Sequence, residues 1–172
     1  MYLTFLDKIK SDDKMKKLTQ SLEDYLEAMY VISLTNKVTR VKEIAKFLNV
    51  KTPSVVDAIG KLTERRLVIH EKYGYLELTD EGYRLAKDVN DKHEKVYKFL
   101  NEILGVSKSV SKKDACNIEH YISKEAMDKM IKFTRFVDTC PDGYPQWLKH
   151  FNYYARYGKH PDCSKKDKKI SF

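Results

Sequence analysis

Apolar residues recur at three- and four-residue spacings along most of the chain, the spacing at which they share one face of an α-helix. The pattern is clear from about Leu18 to Leu34, where it predicts a first helix. Ser21, followed by Asp24, resembles a capping start in the first turn of that helix. The chain has only 6 glycines and 4 prolines, and this scarcity of chain-breaking residues also favours a mainly α-helical fold.

Two shorter helices are predicted next, from Arg40 to Leu48 and from Thr52 to about Arg66. Thr52 is suited to cap the second of them, and Pro53 is suited to its first position. A tight turn between two short helices is typical of a helix-turn-helix. The predicted apolar face of the later helix consists of Val55, Val56, Ile59 and Leu62.

A β-hairpin is predicted directly after this pair, with strands at Leu67–His70 and Tyr75–Leu78 and Gly74 in the turn. A helix-turn-helix followed by a hairpin is a winged helix. Basic side chains placed to meet phosphate lie on and around the third helix and the wing: Lys42, Lys46, Lys51, Lys61, Arg65, Arg66 and Lys72.

The remainder of the chain is also predicted to be helical. We expect a long helix from Thr79 to Leu104 that ends at Gly105, then a short polar linker and helices at about Lys112–Ile122 and Ser123–Asp138. An aromatic-rich helix around Trp147 to Tyr157 should pack on the body of the protein. These apolar faces exceed what one short bundle can cover, so some should pair with a twofold mate. The predicted domains are residues 1–80, 81–140 and 141–172.

Composition narrows the class of protein. The 172 residues include 33 Lys+Arg and 25 Asp+Glu, a net charge of +8, and 42% are hydrophobic, which is too many for a disordered chain. No stretch approaches the roughly 18–20 apolar residues of a membrane helix, and no signal peptide is present, so a cytoplasmic location is expected. The 3 widely spaced cysteines fit reduced thiols or metal ligands better than disulfides.

The strongest candidate for chemistry is Cys116, Glu119 and His120, which share one face of a predicted helix. The alternative is a core cysteine beside a solvated edge. His93 lies among apolar neighbours, where a histidine is more often a core residue than a ligand. With Asp24 and Glu27 of the first helix, these groups make a set of carboxylates, imidazoles and a thiolate that suits a divalent first-row metal.

The order of these motifs resembles the diphtheria-toxin-repressor and manganese-transport-regulator family of metal-dependent transcriptional repressors. The resemblance covers about Thr19 to Asp138. It rests on the winged helix-turn-helix and on three motifs, Glu23-Asp-Tyr-Leu-Glu27, Leu76-Glu-Leu-Thr79-Asp-Glu-Gly82 and Cys116-x-x-Glu119-His120, together with His93. It implies an N-terminal winged helix, a helical metal-binding and dimerisation domain, and no SH3-like third domain.

The resemblance also implies a function. A divalent metal acts as co-repressor, tying the first helix to the dimerisation domain of a homodimer that binds a double-stranded, palindromic operator. It implies neither catalysis nor a small-molecule substrate nor a membrane. Two alternatives are a metalloenzyme that uses the Cys, Glu and His groups, and a winged helix that contacts only proteins. No glycine-rich loop or nucleophile elbow accompanies these residues, which argues against the enzyme.

Matched residue by residue, the metal ligands resemble two branches of the family. Asp24 and Glu27 match the manganese branch, Cys116 matches the iron branch, and His93, Glu119 and His120 match both. Lys112 and Tyr97 occupy positions of an ancillary metal site, which should therefore be absent. A thiolate favours Fe²⁺ over Mn²⁺, so Fe²⁺ is the expected signal, with Mn²⁺ the alternative and Co²⁺, Ni²⁺ or Zn²⁺ able to substitute in vitro.

The start of the third helix should enter the major groove of DNA. The positions that match the operator-facing side of the family are Lys51, Thr52, Pro53, Ser54 and Asp57. Lys61 and Arg65 lie nearer the backbone, although both also suit a plain solvated face, and Lys72 and Tyr73 mark the tip of the wing.

Four further residues flank the aromatic segment: Cys140, His150, His160 and Cys163. They are candidates for a second, zinc-type site. Their spacing matches no strong zinc signature, so ordinary thiols are the alternative.

Overall fold

The computed structural model describes residues 18–36, 38–71, 74–141 and 143–162. Contacts divide the chain into two units, Met1–Asn90 and Asp91–Phe172, and each unit has its own buried apolar residues. Within the described residues, no helix combines the length and the apolar character that crossing a membrane requires. The mainly α-helical fold class is confirmed.

The first unit is a winged helix. Its elements are α1 (Gln20–Ser33), β1 (Thr39–Arg40), α2 (Val41–Leu48), α3 (Thr52–Glu64), β2 (Val68–His70), β3 (Tyr75–Leu78) and the start of α4 (Asp80–Lys98). The strands form an antiparallel sheet in the order β1-β3-β2. Val68 pairs with Leu78, and Thr39 pairs with Leu76, so the predicted hairpin is joined by a short strand that the sequence pattern does not reveal.

The helix starts differ from the predicted ones. Thr19 caps α1, because its hydroxyl accepts a hydrogen bond from the Leu22 N–H at 3.4 Å, so the predicted cap at Ser21 is wrong. Lys51, not Thr52, is the N-cap of α3, which places Thr52 and Pro53 inside its first turn. In both cases the capping residue is the last one with extended backbone, and the hydrogen bonding of the whole turn decides which residue that is.

The core of the first unit joins all three of its early helices to the sheet. Fully buried members come from α1, α2, α3 and β3: Leu26, Ile44, Val55, Leu62 and Leu76. Val56 is 56% exposed, so its predicted place on the apolar face is wrong. Successive helical residues are turned by about 100°, and Val55 already takes the inward position, with Ala58 buried one turn further on.

Close backbone packing joins the end of β2 to the start of α4. The Thr79 N–H donates to the carbonyl oxygen of Leu67 at 3.1 Å, and the Thr79 hydroxyl accepts from the Gly82 N–H at 3.0 Å. A Cβ at Gly82 would lie 2.0 Å from that Leu67 oxygen, so only glycine fits here.

The second unit is helical throughout. The end of α4 continues as a π-helical turn (Phe99–Ile103), followed by α5 (Lys108–Ile118), α6 (Lys124–Asp138) and α7 (Gln146–Tyr157). The long helix predicted to reach Leu104 therefore changes pitch after Lys98, and Gly105, with a φ of 70°, ends it as expected. The aromatic-rich helix is confirmed as α7.

The third helix of the second half is displaced from its predicted position. It begins at Lys108, within the predicted polar linker, and ends at Ile118. The start is held by Ser111, whose N–H donates to the Ser107 carbonyl at 2.8 Å and whose hydroxyl donates to the Val106 carbonyl at 3.1 Å. Polar residues that look like a linker are thus the first turn of a helix.

Two small apolar clusters support the second unit. One contains Val96, Ala115 and Met127, and the other contains Ile103, Val137 and Leu148. An ion pair joins α4 to α6, with Lys98 Nζ 2.7 Å from Asp138 Oδ2. The hydrogen bond to Asp138 raises the pKa of Lys98 above its usual value.

Replacing Gly82 by alanine is expected to lower the free energy of unfolding by about 1–3 kcal/mol, because the new methyl group collides with backbone that cannot move freely. Gly60 is the matched control. It lies within α3 with no atom near its Cβ position, so Gly60→Ala should be neutral or stabilising by roughly 0.5–1 kcal/mol. Urea unfolding of both variants measures the difference. Equal effects at the two positions would show that the close approach at Gly82 is not a constraint.

Candidate metal centre and nucleic-acid interface

Four of the predicted metal ligands lie in the second unit. His93 is on α4, Cys116 is in the last turn of α5, and Glu119 and His120 follow directly. The predicted helix does not extend through this motif. Glu119 nevertheless keeps helical dihedral angles, with φ −56° and ψ −31°, so Cys116 and Glu119 still face the same way.

The ligand atoms of these residues are close together. One atom each from Cys116, Glu119 and His120 lies within 4.8 Å of the others. The two oxygens of Glu119 each face an imidazole: Oε2 is 2.8 Å from His93 Nδ1, and Oε1 is 3.3 Å from His120 Nε2. The structure therefore brings together a thiol, a carboxylate and two imidazoles that the sequence places on two separate helices.

Burial makes this cluster unusual. The Glu119 side chain has 0% exposure and that of His120 has 4%. In the described part of the chain, neither Glu119 oxygen has a partner in hydrogen-bond geometry. A buried carboxylate without hydrogen bonds is costly. A divalent cation would remove this cost, and thiolate, imidazole and carboxylate donors suit a first-row transition metal. The residues present therefore fit such an ion.

The two remaining predicted ligands, Asp24 and Glu27, lie in the first unit. They are three residues apart on α1, so they share a side of that helix, and both are partly buried. Their membership of the ligand set stays a prediction.

The predicted DNA-facing residues of α3 are all exposed: Lys51, Thr52, Pro53, Ser54, Asp57, Lys61 and Arg65. Asp57 and Lys61 form an ion pair at 2.7 Å, in which both side chains are more than half exposed. Such a pair contributes little to stability and leaves Lys61 near the surface. Lys72 and Tyr73 lie outside the described residues.

A groove of about 670 Å³ runs beside these residues, between the start of α1 and α3. Thr19, Ser21 and Tyr25 line it together with Ser54 and Arg65. Sequence analysis does not place α1 residues on this face. They are distant from α3 along the chain, and only the packing of α1 against α3 brings them there.

The candidate second metal site is not assembled in the part of the chain that the structure describes. His150 Nε2 lies 3.2 Å from the side-chain nitrogen of Gln146, and the His160 ring lies against that of Tyr154, with centroids 4.7 Å apart. Cys140 is partly buried and shares no metal-sized cluster with either histidine within the described ranges. Cys163 lies outside them.

Divalent metal is expected to stabilise the folded protein by mass action. At a metal concentration 100 times Kd, the gain is about 2.7 kcal/mol, which a thermal melt with and without Co²⁺ detects as a rise in Tm. Cys116→Ala should reduce this rise by more than half, because a ligand is lost. Cys140→Ala is the control, since Cys140 is equally a partly buried cysteine of the second unit. The same Co²⁺ response in both variants would count against Cys116 as a ligand.

Comparison with known proteins agrees with this division of the chain. Residues 17–76 match the N-terminal DNA-binding domain of iron-dependent repressors, and residues 79–148 match their metal-binding and dimerisation domain. An HTH-type transcriptional regulator of Methanocaldococcus jannaschii is 36% identical over 117 residues, which are 67% of this chain and 94% of that protein.

Solved structures are also similar. IdeR of T. acidophilum has 30% sequence identity and a TM-score of 0.59, over 76% of this chain and 60% of that one. The manganese regulator SloR has 29% identity and a TM-score of 0.62, over 75% of this chain and 61% of that one. The chain thus spans about three fifths of the length of these two proteins.

A winged helix and a helical unit with a buried cluster of metal-ligating residues therefore coincide with the two matched domains. Members of this family are transcriptional regulators, not enzymes. The chain belongs to the iron-dependent repressor family of metal-dependent, DNA-binding transcriptional repressors.

Proposed function

We propose that this protein is an iron-responsive repressor, in which Fe²⁺ is the co-repressor of a homodimer that binds a palindromic operator. The proposed ligand set is Asp24, Glu27, His93, Cys116, Glu119 and His120. The observation that carries the proposal is the buried Glu119 carboxylate, which has an imidazole nitrogen beside each oxygen and the Cys116 thiol within reach.

The thiol of Cys116 is the reason for preferring iron. Thiolate is a softer ligand than carboxylate and favours Fe²⁺ over Mn²⁺. The carboxylates of Asp24 and Glu27 favour Mn²⁺ in the opposite direction, and the similarity to the manganese regulator SloR supports that alternative. Co²⁺, Ni²⁺ and Zn²⁺ are expected to substitute in vitro.

The residues of α1 explain how ligation affects DNA binding. Asp24 and Glu27 are on α1, and the opposite side of α1 packs into the core that also contains Val55 and Ile59 of α3. Restricting α1 through its carboxylates therefore restricts α3, which carries the operator-facing residues. A bound divalent ion supplies the positive charge that offsets these carboxylates and Glu119. The ordering cost of placing both α3 helices of a dimer on DNA falls, which is a coupling free energy between the two sites.

The exposed start of α3 supports the DNA-binding half of the proposal. Thr52 and Ser54 are short side chains that donate and accept hydrogen bonds at base edges, and Pro53 adds apolar surface. With few long side chains to contact bases, recognition by this helix should depend partly on DNA shape. The basic residues at Lys51, Lys61 and Arg65 supply contacts to phosphate.

The metal preference can be tested by measuring operator binding anaerobically, with fluorescence anisotropy, at matched free concentrations of Fe²⁺ and Mn²⁺. Fe²⁺ should activate at the lower concentration. Cys116→Glu should shift the ratio of the two half-activation concentrations toward Mn²⁺, on the order of ten-fold, because a hard ligand replaces a soft one. Cys140→Ser serves as the control and should leave the ratio unchanged.

Activation of the unaltered protein by Mn²⁺ but not by Fe²⁺ would make it a manganese-responsive repressor. Operator binding that ignores both metals, and that is unchanged in Cys116→Ala and His120→Ala, would remove the co-repressor mechanism altogether.

The role of α3 predicts a change in the salt dependence of binding. Arg65→Ala should weaken operator and non-specific DNA alike and reduce the slope of log K against log salt by about 1, the effect of losing one phosphate contact. Lys132→Ala removes an exposed charge from α6 and should leave the slope as it is. A slope that falls equally in both variants would indicate only a general effect of net charge.

A further inference from the structure

The second unit contains an open apolar groove that the proposed metal and DNA sites do not use. It has a volume of about 520 Å³ and runs between the π-helical turn, α6 and α7. Its lining includes Phe99, Ile103, Met130, Phe133, Trp147 and Phe151. Lys129 is the one charged residue among those described residues that line it.

The walls of this groove are well ordered aromatic contacts. The rings of Phe99 and Phe133 meet edge to face with centroids 6.1 Å apart, and those of Phe133 and Trp147 do so at 5.8 Å. Such pairs hold their geometry more firmly than loose apolar contacts. The groove is therefore a shaped surface between packed elements.

This surface is costly to leave in water. Phe133 is 38% exposed, Trp147 is 45% exposed and Phe151 is 39% exposed, all along the same groove. A contiguous apolar patch of this kind in a folded unit marks an interaction site, whereas single exposed apolar residues do not. Its nearly complete lack of charge argues against nucleic acid as the occupant, since phosphate binding depends on basic side chains.

We infer that the groove is covered by the same face of a second copy of this chain. The inference rests on the homodimer of the proposed function and names its surface. Residues 79–148 match a dimerisation domain, and all of the lining except Phe151 lies within that range. A twofold interface needs one self-complementary patch, and this face also carries projecting apolar side chains, with Phe136 61% exposed on α6 and Tyr154 45% exposed on α7.

A pair of substitutions on α7 tests the inference. Phe151 lines the groove, whereas Tyr153 is about 200° around the helix and almost equally exposed, at 37%. In sedimentation equilibrium of the full chain, Phe151→Ser should raise the dimer dissociation constant by about ten-fold or more, as expected for truncation of a central interface aromatic. Tyr153→Ser should change it by less than about two-fold.

The only tryptophan of the chain offers a second measurement that needs no substitution. Trp147 lies in the groove, so its emission should shift to shorter wavelength, and its quenching by acrylamide should fall, over the same concentration range in which the dimer forms. This measurement remains decisive if Phe151→Ser does not fold.

A dimer in which Trp147 stays accessible, or in which both α7 variants dimerise equally well, would overturn the inference and leave the homodimeric repressor intact. The inference would then give way to another occupant, such as a small apolar ligand. A chain that is monomeric at all concentrations, with and without metal, would overturn both the groove interface and the homodimer of the proposed function.

Discussion

A single buried carboxylate constrains the second unit. The Glu119 side chain has no contact with solvent, and its two oxygens face imidazole nitrogens of His93 and His120 at 2.8 and 3.3 Å. A charge in such a place is stable only if other charges or donors compensate it. The need for a cation explains why α4 and the end of α5 converge on this point, and why residues able to bind a metal surround it.

The first unit meets a different requirement. Its core joins α1, α2, α3 and the sheet in one cluster, and α1 contributes more of that cluster than any other element of the unit that the structure describes. The same helix carries Asp24 and Glu27 on its partly buried side. One element is thus both a support for the DNA-facing helix and a source of candidate metal ligands. Coupling between metal and DNA needs no separate moving part in this arrangement.

Composition takes on a different meaning in the two units. A net charge of +8 is weak evidence for DNA binding by itself, but part of it lies on the exposed side of α3, beside an ion pair that neutralises one lysine. The aromatic residues, 12% of the chain, are only partly used for core packing. In the second unit, whose apolar clusters are small, many remain on the surface of α6 and α7. These surfaces are what a chain with a dimerisation domain would be expected to retain.

Much of the architecture followed from local pattern, because helical periodicity and turn residues act over a few positions: the three early helices, the hairpin at Gly74, the end of the long helix at Gly105, and the grouping of Cys116, Glu119 and His120 within one turn. Helix ends were less predictable. Thr19 rather than Ser21 caps α1, and Val56 faces outward, since hydrogen bonding of a whole turn and packing of a whole face decide them. Contacts between residues far apart in sequence were decided by tertiary structure alone. No spacing rule brings His93 to Glu119, or Phe99 and Trp147 to one groove, because those distances depend on how whole helices pack.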